Sequence, residues 1–333
     1  MIEITGSAQY DAWHARTLPP VEQLAANVWV VPVPCPYSIR HTFSYVLSND
    51  AGEFLVVDPG WDEDTGRHQL TSAIEKAGLR LSRLVGVVVT HAHSDHLAMA
   101  PWLASASGAW VGTHRVEAAS IRRLMTSDRT TRAQADRLWL EDGGTPAQVT
   151  AELLRAEPWV PRALETSLRE LEHDELLPLE GRDVRVLFTP GHTAGHLSVV
   201  DADNRVILTG DHVLPTISSN VGVGPHEPDR NSVAEYLGSL ATVEPWADFE
   251  VLPAHQYRFR GLADRTAELR AHQAERSAEI RELLGDQPHA TVWQIAERIT
   301  WSRGWENLDS PNRRMALMEV TAHLRHLRMR SLA

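Results

Sequence analysis

Short apolar runs separated by turn residues recur along residues 1–262, and this pattern predicts β-strands. The predicted strands cover residues 28–33, 42–47, 53–58, 84–89, 109–112, 184–188, 197–200, 205–208 and 250–252. Amphipathic helices are predicted over residues 65–78 and 232–242. Residues 1–27, in which Pro19-Pro20 would break a helix, are predicted to be a loosely structured lead-in.

Two segments have a helical pattern without strand signals. Residues 114–175 are rich in Arg, Glu, Ala and Leu and predict a helical insertion, a kind of segment that often covers a site as a lid. A long helix over residues 262–284 is followed by amphipathic segments that predict further helices. We therefore expect a large domain at residues 1–262 and a small helical domain at residues 263–333.

A dense group of candidate metal ligands follows the apolar run 84–89, where His91, His93, Asp95 and His96 lie within six residues. Neutral imidazole suits zinc and also iron, and a carboxylate adds an oxygen ligand. Because side chains alternate along extended backbone, His91 and His93 can reach one ion, and Asp95 and His96 a second. The alternative is a polar loop that carries histidines by chance, but burying such groups without a metal is costly.

Three later strands also end in short loops with His or Asp. These loops contain His192 with His196, Asp211 with His212, and His255. Buried strands that present polar residues from one end are typical of a site at a sheet edge, so these loops are expected to join residues 91–96. Asp58, at the end of another predicted strand, is either a turn residue or a carboxylate that orients a metal-bound histidine.

The composition of the chain limits the kinds of partner and the cellular compartment that we expect for this site. The chain has 333 residues, a formal net charge of −12 and one cysteine, Cys35. The net charge disfavours a large nucleic-acid footprint, and one cysteine excludes an intrachain disulfide and fits a reducing, cytoplasmic compartment. We expect Cys35 to have a packing role rather than to act as a nucleophile. Neither a secretory signal nor an apolar run of membrane-spanning length is visible, so no membrane association is expected.

The order of these motifs resembles the metallo-β-lactamase-fold hydrolase superfamily over about residues 25–262. The motifs are H-x-H-x-D-H at 91–96, T-P-G-H-T-x-G-H at 189–196, Gly-Asp at 210–211 and P-x-H at 253–255. The resemblance implies an α/β (α+β) fold, an αββα sandwich of two mixed sheets with metals at one edge. It implies that the first ion is held by His91, His93 and His192, the second by Asp95, His96 and His255, and that Asp211 bridges them. Asp58 and His196 would then contact and orient the ligand side chains without binding the ions themselves.

The same resemblance implies a mechanism and a cofactor. Two Zn²⁺ ions, with Mn²⁺ or iron as alternatives, would share a hydroxide that attacks the substrate, and Asp95 could also transfer a proton. An aspartate rather than a cysteine at 211 resembles the hydroxyacylglutathione hydrolase type. We expect a small organic ester, thioester or lactone as substrate. Tyr257 and Arg258 could hold its anionic tail, and Trp139 of the insertion could line an apolar pocket.

The C-terminal segment keeps other functions open. Residues 319–327 resemble the winged-helix-like tail of some β-lactamase-like endoribonucleases, and the tail is locally basic. The first alternative is therefore a metal-dependent phosphodiesterase or endoribonuclease that uses the same site. The second is an iron-dependent redox enzyme on the same fold. Nucleic acid is a less favoured partner than a small molecule, and a homodimer is left open.

Overall fold

The computed structural model describes residues 1–155 and 168–332 and contains two β-sheets. The strands are β1 (Glu3–Ile4), β2 (Glu22–Ala25), β3 (Val28–Pro34), β4 (His41–Ser48), β5 (Phe54–Val57), β6 (Leu84–Val88), β7 (Trp110–His114), β8 (Arg169–Leu171), β9 (Val184–Phe188), β10 (Leu197–Asp201), β11 (Val206–Gly210), β12 (Glu250–Pro253) and β13 (Phe259–Arg260). One sheet has the order β2-β3-β4-β5-β6-β7-β8 and the other β1-β13-β12-β11-β10-β9.

Both sheets are mixed, as the resemblance implies. In the first sheet, β2 to β5 pair antiparallel and β5 to β8 pair parallel. In the second, only the β11–β12 pairing is parallel among the described strands. Parallel neighbours end at the same edge, so the loops after β5, β6 and β7 emerge together, as do those after β11 and β12.

The main hydrophobic core lies between the two sheets. Alternate residues of each strand face it, for example Val28 and Val30 on β3 and Val184 and Val186 on β9. Phe43 and Leu252, from opposite sheets, belong to the same buried cluster. A close-packed core of this kind fixes the strand ends, and with them the loops that follow.

Helices form most of the remaining described chain. They are α1 (Ser7–Ala15), α2 (Asp64–Lys76), α3 (Ser94–Leu97), α4 (Ala100–Ser107), α5 (Arg115–Thr126), α6 (Arg129–Asp142), α7 (Ala147–Leu153), α8 (Ser232–Val243), α9 (Leu262–Asp286), α10 (Val292–Ala296) and α11 (Ser310–Leu332). Among the helices of the described chain, none is both long and apolar enough to cross a bilayer.

The chain divides into two compact units. In the described residues the first contains 1–125, 168–219 and 239–266, with both sheets, and the second contains 126–155, 220–238 and 267–332. Leu140 and Leu153 of the predicted insertion belong to the same buried cluster as Ile280, Trp293 and Leu317. The second unit thus combines helices of the predicted insertion with helices of the C-terminal segment. The predicted domain boundary at residue 262 stays a prediction. The described part of the C-terminal segment is helical, and the winged-helix resemblance also stays a prediction.

The prediction of a loosely structured lead-in over residues 1–27 is wrong. This segment contains β1, α1 and β2. β1 pairs with β13, and the side chain of Gln9, 1% exposed, accepts a hydrogen bond from the Arg258 backbone N–H at 2.9 Å. β1 and α1 depend on partners some 250 residues away, which the local hydrophobic pattern does not reveal, whereas β2 pairs with the adjacent β3.

The predicted all-helical insertion over residues 114–175 is wrong at its C-terminal end. β8 lies within it and pairs parallel with β7, with Gly112 opposite Arg169. β8 has only three residues and two of them are charged, so its strand character depends on this pairing rather than on its own sequence. Trp159 of the insertion lies outside the described residues.

Gly86 of β6 provides a test of the sheet packing. A Cβ at this position would lie 2.2 Å from the Trp110 ring on the neighbouring strand. We expect Gly86→Ala to lower the free energy of unfolding by about 1–3 kcal/mol, the usual cost of overpacking. Urea unfolding followed by circular dichroism measures this change.

Gly238 of α8 is the matched control, because a Cβ there meets no atom within 4 Å. Gly238→Ala should raise stability by about 0.5–1 kcal/mol, since alanine favours a helix over glycine. Equal midpoints for both variants would contradict the packing described here.

Candidate metal centre

The first ligand group lies at the end of β6. The turn after Val88 presents His91 and His93, and the loop after β9 brings His192 to them. His93 Nδ1 lies 2.9 Å from His91 Nε2 and 3.0 Å from His192 Nε2. With Asp211, these residues offer ligand atoms that all lie within 4.8 Å of one another. His91 is buried and His93 is exposed, so this group opens to solvent.

The second ligand group is buried beside the first. Asp95 and His96 lie in α3, the short helix after the His91 turn, and His255 follows β12. Asp95 Oδ2 lies 3.5 Å from His96 Nε2 and 3.4 Å from His255 Nε2. The ligand atoms of these three residues also lie within 4.8 Å of one another.

Asp211 lies between the two groups and directs one oxygen toward each. Its Oδ2 is 3.5 Å from His192 Nε2 and 3.9 Å from His91 Nε2. Its Oδ1 is 3.1 Å from His255 Nε2 and 3.7 Å from His96 Nε2. This is the placement required of a carboxylate that bridges two cations. The structure thus brings together all seven side chains named as ligands from the sequence.

Asp58 orients the histidines of both groups. Its carboxylate accepts hydrogen bonds from the Thr90 N–H and hydroxyl, both at 2.7 Å, and from His96 Nδ1 at 2.8 Å. Because the Thr90 hydroxyl hydrogen goes to Asp58, the 3.0 Å contact between Thr90 Oγ1 and His91 Nδ1 must use a hydrogen on His91. Nδ1 of both His91 and His96 is thereby held as a donor, and Nε2 of both rings faces inward.

Two further contacts support the remaining ligands. His255 Nδ1 donates to the His41 carbonyl at 3.0 Å, which directs its Nε2 inward toward Asp211. His196 is buried; its Nδ1 contacts Thr189 Oγ1 at 2.9 Å, and its Nε2 accepts from the Asp211 N–H at 3.3 Å. His196 therefore contacts the backbone of the bridging residue.

The electrostatics of the cluster reflect its mixture of imidazoles and carboxylates. Burial, together with neighbouring histidines such as His96, holds the pKa of His91 well below its usual value, so this ring is neutral. At His96 burial acts in the same direction, but the carboxylates of Asp95, Asp58 and Asp211 outweigh it and raise the pKa to about 10. In the metal-free protein a proton thus balances part of the carboxylate charge, and metal binding would release it.

The residues fit divalent cations. Within the described part of the chain, Nε2 of His96 is buried without a hydrogen-bond partner, and the buried Asp211 Oδ1 and His255 Nε2 have only their 3.1 Å ion-pair contact with each other. Buried polar atoms without partners are costly. Nitrogen and carboxylate ligands in two adjacent groups suit zinc, and also manganese or iron.

The residues predicted to hold an anionic substrate tail have other contacts. Tyr257 is buried, and its ring lies 5.1 Å from that of Tyr10. The Arg258 guanidinium pairs with Glu250 at 2.7 Å and with Glu22 at 3.2 Å. Both of these carboxylates come from the chain itself, and the role of Arg258 toward a substrate stays a prediction.

Trp139 belongs to the second compact unit. It packs against the hydrophobic cluster that contains Leu140 and Trp293, and the Arg314 guanidinium lies 5.6 Å from its ring centre. These contacts describe a structural role within that unit. Its predicted role in substrate binding stays a prediction.

Sequence reasoning missed two residues next to the ligand groups. Tyr37, in the loop between β3 and β4, contacts Ser94 Oγ through its hydroxyl at 2.6 Å, and its ring meets Trp61 edge-on at 5.6 Å. Glu117 of α5 accepts a hydrogen bond from the Ala92 N–H at 2.7 Å. Their partners in the site are at least 24 residues away, counting from Trp61 to Tyr37, so no local motif marks either residue.

Comparison with known proteins agrees with this geometry. A model of the metallo-beta-lactamase superfamily matches residues 38–255, from the β3–β4 loop to the last ligand. The chain belongs to this superfamily. The resemblance stated from the motifs and the expected fold class are thereby confirmed, and the chain has the fold of metal-dependent hydrolases.

Several superfamily members are similar over most of their length. A crystal structure of a metallo-beta-lactamase family protein from Thermus thermophilus superposes with a TM-score of 0.76 at 27% identity, covering 93% of this chain and 95% of that one. The probable metallo-hydrolase YqjP of Bacillus subtilis is 24% identical, covering 82% of this chain and 85% of its own. An atrochrysone carboxyl ACP thioesterase of Claviceps purpurea is 22% identical, with 91% and 80% covered.

The reactivity of Cys35 tests how buried its thiol is and how close it lies to the carboxylates of the centre. Burial raises the pKa of this thiol to about 12, and the carboxylates of Asp95 and Asp211 act in the same direction. At pH 8 only about 1 in 10⁴ of such a thiol is thiolate, against about a quarter for an ordinary cysteine. We expect iodoacetamide to label Cys35 about a thousandfold more slowly in the native, metal-free protein than in urea. Mass spectrometry measures the rate without ambiguity, because the chain has one cysteine; rapid native labelling at pH 8 would contradict this picture.

Proposed function

We propose that this protein is a dinuclear zinc hydrolase that cleaves an ester, thioester or lactone in a small organic substrate. The observation that carries the proposal is the position of Asp211, whose two oxygens face two separate ligand groups. One ion would occupy the group that contains His91, and the other the group that contains His96.

Divalent ions in these groups supply Lewis acidity toward a carbonyl oxygen and water that ionises near neutral pH. The chain's own residues set the conditions for this chemistry. Asp58 and the His41 carbonyl hold the rings of His96 and His255 so that their Nε2 atoms face inward. The exposed edge at His93 leaves a route for substrate, while the second group stays buried.

Asp95 is the residue proposed to accept and return a proton. Burial opposes its ionised form, but His96 and His255 outweigh this effect, and the pKa of Asp95 lies below its usual value. The carboxylate is therefore ionised at neutral pH and able to accept a proton. The Thr42 hydroxyl donates to its Oδ2 at 3.1 Å and fixes its orientation.

Three features favour an ester-type substrate over nucleic acid. A relative that matches 91% of this chain is named as a thioesterase. The net charge of −12 opposes a polyanion. In the basic C-terminal segment, Arg314 pairs with Asp136 at 2.6 Å, and Arg325 donates to the Glu227 carbonyl at 2.5 Å, so both contact groups of their own unit.

The substrate class can be tested with one panel of compounds. Protein reconstituted with zinc would be assayed against acyl thioesters, lactones, aryl esters, a bis-aryl phosphodiester and single-stranded RNA. We expect turnover of an ester, thioester or lactone, with a free thiol released from the thioesters. Cleavage of RNA or of the phosphodiester alone would favour the endoribonuclease alternative. Activity that requires iron and a redox co-substrate would favour the second alternative.

Replacement of the bridging carboxylate tests the centre itself. Replacing a residue that hydrogen-bonds to a metal ligand typically lowers activity by up to roughly 100-fold. Asp211→Ala should lower turnover by more than this, because both ions would lose a ligand. Bound zinc, measured by mass spectrometry, should fall in parallel, and the circular dichroism spectrum should stay unchanged.

Asp203→Asn is the matched control. Asp203 precedes β11 and Asp211 follows it, so the two aspartates flank opposite ends of one strand. Asp203 accepts from the Asp183 N–H and pairs with Arg182, away from the ligands. This variant should keep its zinc content and turnover. Full activity in Asp211→Ala would place the chemistry elsewhere.

A further inference from the structure

We propose that Glu117 is a positioning residue that holds the two loops of the first ligand group in register and thereby sets the affinity of that group for its ion. The inference rests on the proposed metal centre. It concerns how strongly one of the two sites binds, which the ligand motifs do not specify.

The Glu117 carboxylate uses one oxygen for each loop. Oε1 accepts from the Ala92 N–H at 2.7 Å, and Ala92 lies between His91 and His93. Oε2 accepts from the Thr193 hydroxyl at 3.0 Å and from the Gly195 N–H at 2.9 Å, in the loop that carries His192. One side chain, 2% exposed, therefore joins two segments about 100 residues apart whose histidines meet at 3.0 Å.

The contacts require a carboxylate. Two of the three donors are backbone N–H groups, which cannot reverse their role. In glutamine, the amide nitrogen would face either the Ala92 N–H or the Gly195 N–H in each of its two orientations. One ligand loop would then lose its contact, although the side chain keeps almost the same size.

Gly195 shows that the loop lies directly against the start of α5. A Cβ on Gly195 would lie 2.2 Å from the Glu117 backbone nitrogen and 2.5 Å from the Glu117 Cβ. Glycine at this position thus allows the approach that brings the Gly195 N–H within reach of Oε2. This contact explains the second glycine of the motif at residues 189–196.

The two ligand groups are supported in different ways, so loss of Glu117 should affect them unequally. In the second group, His96 and His255 are fixed through their own Nδ1 atoms by Asp58 and the His41 carbonyl. In the first group, the mutual placement of His93 and His192 depends on where their two loops lie. We expect a loss of about 10- to 100-fold in affinity at the first site, the usual effect of changing a group that supports a ligand.

The decisive experiment compares zinc retention in Glu117→Gln and the unmodified protein. Both are loaded with zinc and equilibrated against a chelator at increasing concentration, and bound metal is measured by mass spectrometry. The unmodified protein should lose its ions at high chelator concentration. Glu117→Gln should lose one ion at a roughly 10- to 100-fold lower concentration and retain the other. The cobalt-substituted protein, followed by its visible spectrum, reports the same two steps independently of zinc content.

Two threonine variants refine the test without removing the carboxylate. Thr193→Val deletes only the hydroxyl that donates to Oε2, so it should lower affinity at the first site by a smaller factor. Thr193→Ser restores the hydroxyl and should restore retention. If Glu117→Gln fails to fold, this pair still decides the question.

Asp201→Asn is the control for a general loss of stability. Asp201 is buried in the same unit, at the end of β10 away from His196, and pairs with Arg182. It should lower the unfolding midpoint but leave zinc retention unchanged.

The outcomes separate this inference from the proposed function. If the unmodified protein binds fewer than two ions, the dinuclear centre is wrong. If it binds two and Glu117→Gln retains both equally well, Glu117 has no positioning role. If Asp201→Asn loses zinc as readily as Glu117→Gln, the effect is one of stability and the inference is also overturned.

Discussion

The structure depends on one electrostatic constraint: several lone pairs face one another in a largely buried space. Nε2 atoms of buried histidines and an oxygen of Asp211 converge there, and within the described residues some of them have no hydrogen-bond partner. Neutral nitrogens do not stabilise one another in this arrangement, and removing carboxylates from water is costly. Protons offset part of this cost in the metal-free protein, as the raised pKa of His96 indicates. Divalent cations would satisfy the same atoms more completely.

The two sheets lower the conformational entropy that the ligand loops lose when they come together. Each ligand loop, and the loop of Asp58, begins where a buried strand ends: β5, β6, β9, β11 and β12. The core between the sheets fixes those ends, so the loops lose little further conformational freedom when they meet. The positive φ of Asp58, 52°, is compatible with this view, because a locally unfavourable backbone places its carboxylate on Thr90 and His96.

The sequence predicts the parts of the fold whose determinants are local. Strands such as β9 were predicted with their observed limits because apolar β-branched runs bounded by turns need no distant partner. The ligands were predicted because their types cluster after such runs. The structure of residues 1–15, the strand β8, and the roles of Tyr37 and Glu117 were missed for one shared reason. Each acquires its structure or role from partners distant in sequence, such as Gln9 at the Arg258 backbone or Glu117 at Ala92 and Gly195.

The same reasoning explains why the motifs identify the chemistry but leave the substrate open. Two cations would fix the type and position of seven side chains. The residues that hydrogen-bond to those side chains would be fixed with them, so all of these residues could vary little without loss of the ions. A substrate is instead selected by side chains that the ions do not constrain. Tyr37 and Trp61 are of this kind: they form an aromatic pair beside Ser94, next to Asp95, without being ligands. The metal centre places no strict geometric demand on residues in such loops, so the side chains on their surface, rather than the ligand motif, would select the substrate.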